Sequence, residues 1–153
     1  MNLAKGRLGE DSSSLLGGLL VTTIGLAAYS RADTPADKRR DFFVYVDEFQ
    51  SFTTLAVANM LSELRKYRMG FTVAHQYLNQ LKPDIQHAVL GNAGTLISFR
   101  LGAEDAPYLA REFVDEFTPA DLMQLSNHRI YLKLMIDGMP SKPFSAMTLP
   151  PTA

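Results

Sequence analysis

Cysteine is absent from the 153 residues. That absence excludes a disulfide framework, a thiolate metal site and cysteine catalysis, and it agrees with a cytoplasmic location. An excess of one charge is missing as well. Fifteen basic against 16 acidic residues leave a net charge of −1 and a pI near 6.3. No global basic field exists to hold nucleic acid, so any such contact must be local. Internal repeats are missing, and His75, His87 and His128 lack the spacing of metal ligands. An unbroken hydrocarbon run is missing too. The stretch from Ser12 to Ser30 carries no charge, yet it gives many places to serine, threonine and glycine, which suits a spanning helix poorly. Leu15/Leu19, Leu16/Leu20 and Ile24 have the spacing of a packed helix, and Glu10 and Asp11 suit a helix N-terminus. The expectation is a buried helix without membrane insertion.

What is present is a globular composition, 46% apolar and 20% charged. That argues against intrinsic disorder, and the length allows one domain or a piece of one. FFVYV between Asp41 and Asp47 is short, apolar and rich in aromatic and β-branched residues, as in a parallel strand buried on both faces. Thr53 to Arg68 places Val57, Ala58, Leu61 and Leu64 on one stripe and reads as an amphipathic helix stopped by Gly70. FTVAH is a second strand, 84–90 a short helix, TLISF a third strand, and 103–113 a helix. Thr118 and Pro119 open another helix. Ile130, Leu132, Leu134 and Ile136 alternate with Tyr131, Lys133 and Met135, predicting a strand, and PFSAMTL returns as an antiparallel edge. Lys38, Arg39 and Arg40 read as a solvated loop.

Strand ends carry the chemistry. In open parallel α/β sheets the ligand crevice lies beyond the carboxyl ends of the strands. FFVYV delivers Asp47 and Glu48, FTVAH delivers Gln76, and TLISF delivers Arg100. An acid after a strand also serves as an ordinary helix cap. The Asp-Glu pair after an apolar strand resembles a Walker B element, in which one carboxylate holds the water shell of a nucleotide-bound magnesium and the other polarises the attacking water.

The blocks NLAKGRLGED, FFVYVDEFQSF, LSELRKYRMGFTVAHQYLNQL and GNAGTLISFRLGAEDA resemble those of TraG/TraD-type conjugative coupling ATPases and their HerA-related relatives, from about Asn2 to Leu149. That resemblance implies a RecA-like P-loop NTPase fold, a mainly parallel sheet flanked by helices with an antiparallel C-terminal edge. It implies a hexameric motor that uses ATP and Mg2+ to translocate DNA toward a type IV secretion channel. Asp47 and Glu48 match the Walker B acids, with Asp47 as the metal-side carboxylate, and Gln76 matches the glutamine that senses the γ-phosphate. Arg65 resembles the arginine finger offered to a neighbouring subunit, and Arg100 is the further candidate for nucleotide contact.

The departure from that pattern is the phosphate-binding loop GxxxxGK[ST], for which KGRLGEDS has two glycines and a lysine in the wrong order. The resemblance therefore implies the C-terminal half of a motor domain, residues 1–153, whose P-loop half lies elsewhere, and a chain inactive alone. It also implies a site of action in the cytoplasm or at the inner face of the membrane through other parts of the full protein. Two other classes stand beside this reading. One is a non-catalytic interaction module, since the corresponding region is called the TraM recognition domain and docks relaxosome or secretion-channel proteins. The other is an inactive remnant of a truncated mobile-element gene.

Overall fold

The computed structural model describes Leu3, Gly6, residues 9–114 and residues 116–150. The chain divides into two compact units, residues 1–92 and 93–153.

In the first unit the described elements are α1 (Glu10–Tyr29), β1 (Phe42–Val46), α2 (Leu55–Leu64), β2 (Met69–Val73) and α3 (Pro83–Asn92). Short 3-10 turns at Ser30–Asp33, Ala36–Lys38, Phe49–Ser51, Arg65–Tyr67 and Leu78–Gln80 join them. β1 and β2 pair in parallel, Phe42 opposite Met69 through Val46 opposite Val73. Thr54 caps α2, its hydroxyl accepting the Val57 N–H at 3.3 Å. The buried stripe of α2 is Val57, Ala58, Met60 and Leu64. α2 ends at Leu64 with Arg65 as its cap, and the 3-10 turn that follows closes at Arg68, whose backbone is left-handed (φ 56°). Gly70, expected to stop this helix, lies instead inside β2, where a Cβ would come within 2.8 Å of the Phe43 ring.

α1 inverts the expected packing. Its buried residues are Ser13, Gly17, Val21, Gly25 and Ala28, a stripe at near four-residue spacing. Small side chains let the helix backbone come close to its neighbour. A Cβ on Gly17 would sit 2.0 Å from Phe52 Cδ1, and one on Gly25 1.9 Å from Met60 Sδ. The leucines that the spacing assigned to the core are turned outward, Leu15 at 66% and Leu19 at 57% exposure. Among the described residues, Glu10–Asp33 is the one helical stretch long and apolar enough to cross a membrane, with a mean hydropathy of 1.4.

In the loop after α1, Lys38 and Arg40 are exposed, as expected of a solvated stretch, but Arg39 is not a free charge. Arg39 Nε donates to the carbonyls of Arg31 (3.1 Å) and Thr34 (2.8 Å), Nη1 to that of Lys66 (2.6 Å) and Nη2 to that of Ala32 (3.2 Å). Its guanidinium lies 5.4 Å from the Tyr67 ring centroid. Arg31 Nη1 donates to the carbonyls of Arg40 (2.9 Å) and Tyr67 (3.1 Å). Two rigid forks thus fasten the loop to the end of α2, a use of arginine that a lysine does not reproduce.

The second unit contains β3 (Leu96–Ser98), α4 (Ala106–Glu112), α5 (Pro119–Met123), β4 (Arg129–Lys133), β5 (Met135–Ile136), β6 (Met139–Pro140) and β7 (Phe144–Met147). β4 pairs antiparallel with both β3 and β7. The expected strand over Ile130–Ile136 is broken at Leu134, whose N–H and carbonyl are bonded to Ser141, and β5 and β6 form a separate hairpin. Tyr131 stacks on Phe117 with ring centroids 3.7 Å apart, and burial pushes its phenol above its ordinary pKa. Thr118 and Asp121 form a capping box at the start of α5. The expectation of a mainly parallel sheet needs correction. Two strands are parallel, and the remaining pairings among the described residues are antiparallel.

Candidate functional site

The site begins with the parallel register. Two parallel strands finish at the same sheet edge, so whatever follows β1 and whatever follows β2 are neighbours. The backbone beyond the strands extends this frame. Ala74 N–H donates to the Val46 carbonyl and Phe49 N–H to the Ala74 carbonyl, both at 2.9 Å. Phe49 is buried at 1% exposure and anchors the turn that carries the acids.

Glu48 sits on this frame with φ 52° and ψ 43°, a left-handed conformation that costs a residue with a Cβ about 1 kcal/mol. Its surroundings compensate. The Glu48 N–H donates to Asp47 Oδ1 at 2.9 Å. Gln76 Nε2 donates to Glu48 Oε1 at 2.9 Å, and Gln50 Nε2 donates to Glu48 Oε2 at 2.5 Å. Both carboxylate oxygens are thus held by amide donors, one from the turn after β1 and one from the end of β2. Charge-assisted hydrogen bonds of this kind are among the stronger ones a protein makes.

Asp47, Glu48 and Gln76 are therefore brought together. Asp47 is exposed, and its second carboxylate oxygen has no partner among the described residues. It can join the water shell of a cation. Among the described residues no group of three or more acidic, histidine or cysteine side chains could itself hold a metal ion. Gln50 escaped the sequence reading because its role depends on the left-handed turn at Glu48. The only signal was its place two residues beyond the Asp-Glu pair.

Arg65 is not at this site. It caps the C-terminal end of α2, a ten-residue helix about 15 Å long. The turn it opens adjoins the other end of the sheet, where Phe42 N–H donates to the Arg68 carbonyl at 3.0 Å. Its side chain is exposed and has no ion pair among the described residues. Arg68 nearby pairs with Asp41 at 3.6 Å, an exposed contact of little energetic weight. Arg100 follows β3, which belongs to the antiparallel sheet of the other unit. Of the three strands expected to run in one parallel series before Asp47, Gln76 and Arg100, β1 and β2 pair in parallel, whereas β3 pairs antiparallel with β4.

No family model matches the sequence, and no curated protein matches it. Among solved structures the chain is similar to the bacterial conjugative coupling protein TrwBΔN70 in its unbound monoclinic form, with a TM-score of 0.54 and 15% identity. The match covers 71% of this chain and 32% of that one, so this chain spans about a third of the coupling protein's length. At that identity the likeness is one of fold.

Proposed function

We propose that this chain supplies the Walker B and sensor elements of an ATP-driven, DNA-translocating motor of the conjugative coupling type. The phosphate-binding loop comes from residues outside this sequence. The observation that carries this reading is the bridge from Glu48 to Gln76 across the ends of two parallel strands. It joins an acid suited to polarise water to an amide suited to detect a phosphate oxygen. The fold-level similarity to a coupling protein supports the same assignment.

The residues present fit part of a nucleotide site. Asp47 would hold the water shell of Mg2+, Glu48 would orient the attacking water, and Gln76 would meet the terminal phosphate. Bound Mg-ATP supplies the transferable phosphoryl group and the charge neutralisation that phosphoryl transfer requires. The cradle of backbone amides and lysine is not in this sequence. Arg65, exposed and far from its own chain's Glu48, is proposed to serve a neighbouring subunit's nucleotide in a hexamer. Arg100 is a second candidate for nucleotide contact. The partners of the complete protein would be DNA and relaxosome or secretion-channel proteins, at the cytoplasmic face of the membrane. α1 is assigned as a packed helix and not a membrane span, because its stripe of small residues meets Phe52 and Met60.

A second reading rests on a different observation. Phe43 and Tyr45 share the sheet face that also carries Gly70 and Thr72, and they are 66% and 76% exposed. An uncovered aromatic face on parallel strands, which are normally covered on both sides, suits an interaction module.

Calorimetry and turnover separate the readings. The isolated chain should bind Mg-ATP only weakly. In the complete motor, the chain preceded by its P-loop segment, Glu48→Gln should retain nucleotide and lower turnover by about a hundredfold or more. Low-micromolar binding by the isolated chain would overturn the need for an external loop. Undiminished turnover in Glu48→Gln would leave the interaction module as the better account.

A further inference from the structure

We propose that Gln50 and Gln76 form a two-amide clamp that holds Glu48 out of action until nucleotide arrives, with Gln50 as a positioning residue and Gln76 as the arm that lets go. The inference rests on the assignment of Glu48 as the water-orienting acid and adds how that acid is held in check.

Both Glu48 oxygens are occupied. Oε1 accepts from Gln76 Nε2 at 2.9 Å and Oε2 from Gln50 Nε2 at 2.5 Å. Each oxygen gives one of its two acceptor directions to an amide, and the pair of donors fixes the plane of the carboxylate between them instead of leaving it free to turn toward a water molecule. In the proposed clamp one side opens for catalysis, and the two arms differ in a way that decides which.

Gln76 is exposed, on the chain just beyond β2, where an incoming phosphate oxygen could compete for its amide. Gln50 is half-buried in the turn fixed by Phe49, whose N–H is bonded to the Ala74 carbonyl. Its own Oε1 is buried and lacks a hydrogen-bond partner. An unpaired buried amide oxygen is costly, and here that cost accompanies an orientation that aims Nε2 at Glu48. Gln50 is therefore the fixed arm. When Gln76 turns to phosphate, Oε1 is released for water while Oε2 stays anchored and the left-handed backbone of Glu48 keeps its support.

The arrangement also explains why two glutamines serve and not two charged groups. A lysine or arginine at either place would bind the carboxylate more tightly and resist release. A neutral amide gives a hydrogen bond that a phosphate can outbid, because phosphate accepts from the same donor with more negative charge.

Two measurements test the clamp. In the 153-residue chain, the side-chain amide NMR signals of Gln50 and Gln76 should be displaced from those of exposed glutamines, and both should return toward exposed values in Glu48→Ala. In the complete motor, the near-isosteric Gln50→Met should lower kcat by about tenfold with KM for Mg-ATP unchanged, whereas Gln50→Glu should do worse through like-charge repulsion. A purely structural Gln50 would lower the melting temperature and leave kcat of the folded enzyme intact. Gln50 amide signals that are the same in wild type and Glu48→Ala would overturn the clamp, and so would wild-type kcat in Gln50→Met. If Glu48→Gln is active, the underlying reading fails instead. If Glu48→Gln is inactive and Gln50→Met is normal, only the clamp fails.

Discussion

In residues 1–92 the strands run parallel, so β1 and β2 finish together and Glu48 meets Gln76 there. In residues 93–153 they run antiparallel, with Ser98 opposite Tyr131 and Arg129 opposite Met147, so the end of β3 before Arg100 lies beside the start of β4. Parallel pairing gathers the ends of strands distant in sequence, which is why parallel sheets so often carry sites at their carboxyl edge. Antiparallel pairing brings the end of one strand to the start of the next. The same contrast governs stability. The first unit depends on close backbone approach and ties between distant segments, such as Arg39 to the Lys66 carbonyl. The second also uses local devices, of which the capping box at Thr118 and Asp121 is the clearest.

The largest effect is expected where the first unit needs close approach. Gly17→Val should lower the free energy of unfolding by about 3 kcal/mol, since overpacking of this kind forces neighbouring side chains and backbone to move. The Phe52 ring stands 2.0 Å from where a Cβ would be. Leu19→Ser, on the 57% exposed face of the same helix, should change it by no more than about 0.5 kcal/mol. Urea denaturation of both variants would reverse the assignment of faces if the leucine variant proved the more damaging.

A smaller effect tests the long-range ties. Arg39→Lys replaces a fork that reaches four carbonyls with a single ammonium, and it should cost about 1–2 kcal/mol. Hydrogen exchange should show earlier opening of residues 30–40 in this variant. Unchanged protection there would mean that the loop is held by something other than the guanidinium.

The smallest effect belongs to the second unit and depends on pH. Hydrogen bonds from the Thr118 hydroxyl, then from its backbone N–H, hold the Asp121 carboxyl below its ordinary pKa. A carboxylate depressed on folding contributes stability above its unfolded pKa and loses it as pH falls through the lower folded value. The stability difference between wild type and Asp121→Asn should therefore be constant above about pH 5 and shrink below about pH 4. A difference independent of pH across that range would show that the cap does not use the ionised carboxylate.

Much of the local structure was legible from residue types alone. The run FFVYV became a parallel strand and Thr118 capped a helix as expected, because strand propensity and capping act over a few neighbouring residues. The expected burial of FFVYV on both faces did not follow, since Phe43 and Tyr45 are exposed, and the alternating pattern from Ile130 holds only to Lys133. The acids after β1 and the glutamine after β2 could be named as site candidates on the same local grounds.

Other features were decided only by tertiary structure. In α1 the leucine spacing is that of a packed helix, yet the face that packs is the one with glycine and serine, because Phe52 and Met60 fill the space that larger side chains would need. Arg39 reads as a solvated charge until the carbonyls of a distant turn are placed around it. β3 has the composition of a buried parallel strand, but its partner is β4, and composition does not state partner or direction. Gln50 joins the site because Glu48 turns left-handed and sends its carboxylate between two amides. Sequence determined the elements and the polar residues at their ends, since those follow from short-range propensity. Tertiary packing chose the buried faces, the strand partners and the grip on Glu48, since each depends on groups far apart in the chain arriving within a few ångströms of one another.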